Sequence, residues 1–191
     1  PASKIFDYIM EAHGLLRKIE LGRIDDTSKS KPVAFAGSGI CAGIGTEIGL
    51  ACHRRFLSSS KNSKIGLPEI LVGLFPGLGG TTRIPRMMGL MGASSVLLEG
   101  KLFTSEKAKS IGLVDELVPE NELIQKAKDW ILSVSPHELV KTWDRKGFKF
   151  PGGAPYHPSG FMSFVGGSAL VNGKTKGLYF SAKALLSSVY E

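Results

Sequence analysis

Gly37-Ser38-Gly39-Ile40-Cys41-Ala42-Gly43-Ile44-Gly45-Thr46-Glu47 is the stretch whose reading decides the fold. It follows Pro32-Val33-Ala34-Phe35-Ala36, a short apolar run bounded by Pro and Gly that reads as a buried strand. Glycine this dense, inside otherwise apolar sequence, marks backbone brought close to something. One reading of Gly37-x-Gly39-x-x-Ala42 is a dinucleotide fingerprint. That fingerprint needs an acidic residue about 20 positions on, closing a second strand. Leu57-Ser58-Ser59-Ser60 stands there instead, with no carboxylate, so the reading is set aside.

Glu47 carries the chemistry of this first knot. Thr46–Cys52 reads as a short buried helix, which puts Glu47 in its first turn among Ile44, Ile48, Leu50 and Ala51. A carboxylate in an apolar helix is costly unless it is paired or used. The start of such a helix also leaves N–H groups free to hold an oxyanion. Glu47 is therefore either a buried acid/base or a glutamate answering the helix dipole.

A second knot poses the same choice. Gly66-Leu67-Pro68-Glu69-Ile70 leads to Gly73-Leu74-Phe75-Pro76-Gly77-Leu78-Gly79-Gly80, with Glu69 between Pro68 and two apolar neighbours. Two carboxylates, each beside glycine-rich backbone and apolar walls, suit proton transfer next to a stabilised oxyanion.

Outward from the knots, Ile5, Ile9, Ala12, Leu16 and Ile19 recur at helical spacing over residues 3–20. Arg23 to Lys31, with Asp25-Asp26-Thr27-Ser28, reads as a loop, and Arg55-Phe56-Leu57 as a strand. Helices are predicted around Thr81–Met88, over 92–99, and over 104–111 with Thr104 as N-cap. Leu113–Val118 reads as an extended piece. Glu120–Ser133 reads as an amphipathic helix with Leu123, Ala127, Trp130 and Ile131 inward. From Pro136 to Gly173 the periodicity fades, and it returns over Leu178–Tyr190. Strand–helix alternation followed by helices is an α/β pattern.

Composition excludes several function classes. The chain has 191 residues, 21% of them charged and 42% hydrophobic, the balance of a globular domain with a real core. The net charge of +7 comes from basic residues scattered from Lys4 to Lys183, without the aromatic interleaving of a nucleic-acid surface. No apolar run approaches the roughly 18 residues of a membrane span, and no signal peptide is visible. Cys41 and Cys52 have no metal-site or disulfide spacing, which fits a reducing compartment.

Pro32-Val33-x₅-Gly39-x₃-Gly43-x-Gly45-x-Glu47, followed by Gly66-Leu67-Pro68-Glu69-x₃-Gly73-Leu74-x-Pro76-Gly77-x-Gly79-Gly80-Thr81-x-Arg83-Ile84-Pro85-Arg86, resembles the enoyl-CoA hydratase/isomerase (crotonase) superfamily. Gly112-Leu113-Val114-Asp115 resembles that family's later signature, and the likeness runs over about residues 1–133. Trp143-Asp144-Arg145-Lys146-Gly147-Phe148-Lys149-x-Pro151-Gly152-Gly153 resembles the hydratase part of the multifunctional fatty-acid oxidation α subunit, where a 3-hydroxyacyl-CoA dehydrogenase follows.

The resemblance implies an α/β crotonase-like fold, a ββα spiral core with C-terminal helices. It implies that Glu47 activates water and that Glu69 exchanges a proton with the substrate's α-carbon. The Ile44 N–H becomes one donor to the thioester oxygen, with Gly43, Gly45, Pro76 and Gly77 around the substrate. The implied activity is syn hydration of trans-2-enoyl-CoA in fatty-acid β-oxidation, with Δ3–Δ2-enoyl-CoA isomerisation as a second capacity. Coenzyme A enters as the substrate's thioester. The chain itself needs no cofactor, NAD belonging to the dehydrogenase. A thiolase β subunit or a second copy of the chain are the implied protein partners. The cytoplasm is the implied compartment, with the mitochondrial matrix as the alternative. Other acyl-CoA chemistries of the fold (hydrolysis, dienoyl isomerisation) stay open, as does an inactive fragment serving as an assembly module.

Departures from the pattern set further expectations. Ile44 interrupts the family's triple glycine, and His53 stands where aspartate is frequent. Glu47 and Glu69 lie 22 residues apart, slightly wider than the family leads one to expect, with Ser58–Ser63 as the turn that absorbs the excess. The family's early strands, its first oxyanion donor and much of its adenine site have no counterpart here. Residues 1–133 are thus expected to form a partial crotonase domain that lacks its N-terminal part. Residues 134–191 are expected to form an extension and linker towards a dehydrogenase that is absent.

Overall fold

A computed structural model describes residues 2–25 and 29–190. Asp26, Thr27 and Ser28, within the predicted polar loop, lie outside the described residues. Helix α1 runs Ala2–Leu21, as its spacing predicts, but only its second half is covered. Leu16 and Glu20 are buried, whereas Ile5 and Ile9 stay exposed.

Among the described residues, six short strands form two sheets. β1 (Ala34–Gly37), β3 (Arg54–Ser58) and β6 (Glu116–Val118) pair in parallel in the order β1-β3-β6. β2 (Ile40–Ala42) and β4 (Lys64–Gly66) pair in parallel, and β5 (Leu102–Thr104) closes antiparallel on β4. Within the glycine-rich run 37–47, β2 carries no strand signature of its own. It is a strand because β4 supplies its ladder, a partner that no local pattern reveals.

Helix α2 (Ile44–Ala51) joins the two sheets, and α3 (Gly80–Leu97) follows the second knot. Two predicted helices merge in α3, across a kink at Gly89, whose φ of 74° is left-handed. Helix α4 (Ser105–Ser110) starts at Thr104, whose hydroxyl accepts from the Lys107 N–H as an N-cap should. Helix α5 (Leu123–Ser133) buries Leu123 and Ala127 and sets Trp130 edge-on to Phe56, ring centroids 6.3 Å apart.

The aperiodic stretch after Pro136 departs furthest from expectation. It holds an 18-residue helix, α6 (Pro158–Thr175), followed by α7 (Phe180–Tyr190). Gly160, Gly166, Gly167 and Gly173 dilute the helical signal of α6. Tertiary contact supplies what local propensity lacks. Val171 of α6 and Leu185 of α7 enter the core that holds Ile84 and Leu97 of α3, Leu50 of α2 and Ile65 of β4.

Ionic contacts tie the outlying motifs to this frame. Asp115 accepts from the Arg55 backbone N–H and guanidinium, both at 2.7 Å, and fastens β3 to the loop before β6. Arg17 of α1 meets both carboxylate oxygens of Asp144, at 2.8 and 2.9 Å. Lys141 is almost wholly buried, and its Nζ donates to the carbonyls of Leu50 and Cys52, closing the C-terminus of α2. Burial, reinforced by the charge of Arg55, pulls its ammonium down to about 8. Truncation by Lys141→Ala leaves two carbonyls without their donor and is expected to cost about 2–3 kcal/mol. Urea unfolding reads that loss. An unchanged midpoint would show that water replaces the cap without cost.

Candidate active site

Three short connections bring Glu47 and Glu69 together. The β2–β4 ladder puts Ala42 opposite Gly66, and Gly43 extends it by donating its N–H to the Gly66 carbonyl at 3.0 Å. Thr46, fully buried, locks the same junction. Its hydroxyl reaches the carbonyls of Cys41 and Gly66 at 2.7 and 2.8 Å and lies 3.2 Å from the donating Gly66 N–H. Nothing local marks Thr46 for this role, because a threonine in a first turn looks like ordinary helix.

Glu47 is 2% exposed. Its Oε1 accepts two backbone N–H groups, from Leu78 and Gly80, both at 2.8 Å. Gly80 opens α3, so the carboxylate occupies the positive end of that helix and satisfies N–H groups that have no acceptor within it. Among the described residues Oε2 of Glu47 makes no hydrogen bond.

Behind this loop stands an ionic network whose central pair, Arg83 and Glu20, is buried. Arg83 of α3 donates to the Leu78 carbonyl at 3.1 Å and pairs with Glu20 of α1 at 2.9 Å. Glu20 also meets Arg17 at 2.6 Å, and Arg17 continues to Asp144. The backbone that holds Glu47 is thus fixed on its other face by charges from two helices.

Glu69 opens a one-turn 3₁₀ helix, Glu69–Val72, directly after β4. Its carboxylate lies against Gly43, where a Cβ would come within 3.1 Å of Oε1. Gly43 also adopts φ 56°, ψ −123°, a conformation that L side chains rarely adopt, so glycine is required there on two counts. Oε2 of Glu69 is buried without a hydrogen-bond partner. Burial pushes the Glu69 carboxyl above the ordinary carboxylate range, and the neighbouring Glu47 charge pushes the same way.

The remaining predicted residues flank this pair. Ile44 is the first residue of α2, so its N–H has no partner within the helix, and its side chain is 58% exposed. Gly45 follows within the same turn. Pro76 is buried against Gly80, while Gly77 is exposed and its carbonyl accepts from His13 Nε2 at 2.8 Å. His53 stands apart, its Nδ1 accepting the Val33 N–H at 3.0 Å, a fastening between β1 and β3. Among the described residues no cluster of His, Cys, Asp and Glu could hold a metal ion, and no helix is long and apolar enough to cross a membrane.

Comparison with known proteins gives this geometry its context. The enoyl-CoA hydratase/isomerase family matches residues 23–141. The fatty acid oxidation complex subunit alpha of Shewanella loihica is 43% identical over 106 residues, which are 56% of this chain and 15% of that protein. The glyoxysomal fatty acid beta-oxidation multifunctional protein MFP-a of Cucumis sativus is 40% identical over 121 residues, 62% of this chain and 16% of that protein. The chain thus spans only a small part of the curated relatives it matches. Among solved structures, the enoyl-CoA hydratase of Bacillus anthracis shares the fold. Its TM-score is 0.59 at 24% identity, over 100% of this chain and 62% of that one. Pseudomonas aeruginosa DspI gives a TM-score of 0.57 at 27% identity, over 73% of this chain and 53% of that one. Paired glycine knots, the crotonase-like fold and the family match agree: the chain belongs to the enoyl-CoA hydratase/isomerase (crotonase) family.

Proposed function

We propose that the site built on Glu47 and Glu69 hydrates trans-2-enoyl-CoA thioesters, adding water across the double bond with syn geometry. The observation that carries this reading is the buried, unpartnered Oε2 of Glu69 beside a second carboxylate. A carboxyl group that burial makes a weaker acid than a solvated one is suited to exchange a proton with carbon. Glu47, anchored through Oε1, keeps Oε2 for the attacking water and takes its proton as the C–O bond forms at the β-carbon. Glu69 protonates the α-carbon. The Ile44 N–H, at the positive end of α2, receives the enolate-like charge on the thioester oxygen.

Water adds as hydroxide to the β-carbon and a proton to the α-carbon with no change of electron count, and Glu47 and Glu69 return to their starting protonation by exchange with solvent. These groups therefore suffice without a cofactor, and coenzyme A enters as part of the substrate. Shifting a double bond from the 3 to the 2 position needs a proton removed and returned, which Glu69 alone could manage. Isomerisation is therefore a natural second activity of the same site. β-Oxidation in the cytoplasm is the setting that the bacterial relatives suggest.

A panel of thioesters tests the reading. The full-length gene product is incubated with 2-enoyl-, 3-enoyl-, dienoyl- and saturated acyl-CoA, and products are identified by mass. A 3-hydroxyacyl-CoA product from the 2-enoyl substrate is expected. Free coenzyme A as the sole product would instead assign a hydrolase.

A further inference from the structure

The turn that carries Glu69 is short and mostly exposed. It is a single 3₁₀ turn, a geometry with weak intrinsic hydrogen bonding. Of its four residues only Ile70 is buried, while Leu71 and Val72 are 66% and 74% exposed. The Leu71 N–H reaches the Pro68 carbonyl at 2.9 Å and the Leu74 N–H the Glu69 carbonyl at 3.1 Å, but the bond within the turn from the Gly73 N–H to the Ile70 carbonyl is long at 3.4 Å.

Tyr179 braces this turn from the C-terminal region. Its hydroxyl donates to the Ile70 carbonyl and accepts from the Gly73 N–H at 3.0 Å, so one oxygen joins both ends of the loosely closed segment. The ring is itself fixed. Tyr179 immediately precedes α7, packs against the main core, and is followed by Ala182 and Leu185, both buried in that core. Lys176 and Gly177, with left-handed φ of 50° and 73°, turn the chain out of α6 and aim it there.

We infer that Tyr179 is a positioning residue for Glu69: its hydroxyl clamps the Ile70–Gly73 backbone and thereby sets where the Glu69 carboxyl meets the substrate's α-carbon. The inference rests on the proton-donating role proposed above for Glu69. It gives the C-terminal helices a part in the chemistry, since they hold the turn from a distance of more than 100 residues in sequence. Charged groups around the assembly are few. Glu47 acts on Glu69 from α2, while Glu99 and Lys174 border the groove that Tyr179, Ile70 and Leu71 share.

The test compares Tyr179→Phe with Glu69→Gln in the full-length gene product, using trans-2-butenoyl-CoA. Phenylalanine keeps the ring and its packing and removes only the clamp. A fall in kcat of about 10-fold with KM within about twofold is expected, as for other small misplacements of a reacting group. The alkaline limb of the kcat profile is expected to move down by about half a pH unit, because a loosened turn admits water to Glu69 and relieves its desolvation. Hydrogen exchange at the Gly73 amide is expected to quicken. Should Tyr179→Phe fold poorly, Tyr179→p-aminophenylalanine, whose amine can donate and accept where the hydroxyl did, is measured instead and is expected to keep the wild-type kcat and limb, a loss of either overturning the clamp. Wild-type kcat and limb in Tyr179→Phe, with Glu69→Gln inactive, would overturn the clamp alone. Full activity in Glu69→Gln would overturn the role of Glu69, and the clamp with it.

Discussion

Replacing Glu69 by glutamine is expected to slow hydration of a short 2-enoyl-CoA by about 10²–10⁴-fold, the usual worth of a positioned proton donor. Glutamine matches glutamate in shape and so leaves the packing against Gly43 in place, but it has no proton to give. The pH dependence follows from the same residue. Burial raises its carboxyl, so the protonated, donating form persists to higher pH than in water. Hydration is therefore expected to fall on the alkaline side as pH rises through that raised value, and the variant's residual rate is expected to lack this limb. The amide also places two donors where one unpartnered oxygen was buried, at a cost of about 1–3 kcal/mol, so thermal denaturation must accompany the kinetics. A folded Glu69→Gln protein that hydrates at the wild-type rate would falsify the assignment.

Glu47→Gln separates the two activities. Glutamine's carbonyl oxygen still accepts from Leu78 and Gly80, so the loop before α3 keeps its anchor. What is lost is the base and the charge at the start of α3, the latter worth about 0.3–1 kcal/mol of stability. Hydration needs water to be deprotonated and is expected to drop by about 10²–10⁴-fold. Moving a double bond within 3-enoyl-CoA requires no water, and its rate is expected to fall far less. The ratio of the two rates in one preparation is the measurement. Equal losses in both would mean that Glu47 serves the architecture of the site and not the water.

Both effects rest on a pairing whose members were visible in the sequence before their proximity was. Dense glycine around Glu47 and Glu69 marks them because backbone packed close to a ligand excludes side chains, and composition records that exclusion directly. The 22-residue separation does not show how near they lie. Nearness comes from Ala42 opposite Gly66 and from the two carbonyls that Thr46 holds, contacts that exist only once β2 and β4 pair.

Helices with clear periodicity, α1, α5 and α7, follow from local pattern, since an apolar stripe at helical spacing has few alternatives. Helix α6 does not, because its glycines weaken the stripe and burial against α3 and α7 replaces it. The same holds for β2, β4 and β5, each three residues long. Set among glycines and polar turns, these short strands are defined by their neighbours, whereas β6, equally short, lies in the run Leu113–Val118 that reads as extended.

The sequence by itself determined the chemistry on offer: two carboxylates, glycine-rich backbone beside each, and a helix start with free N–H groups. Only the tertiary structure decided how that chemistry is held. It placed Glu47 on the N-terminus of α3, backed that loop with Arg83, Glu20 and Arg17, and brought the Tyr179 hydroxyl to the turn behind Glu69. The physical reason is range. Residue type and spacing encode local conformation and reactivity, whereas the desolvation that raises Glu69 and the hydrogen bonds that orient Glu47 come from partners far away along the chain.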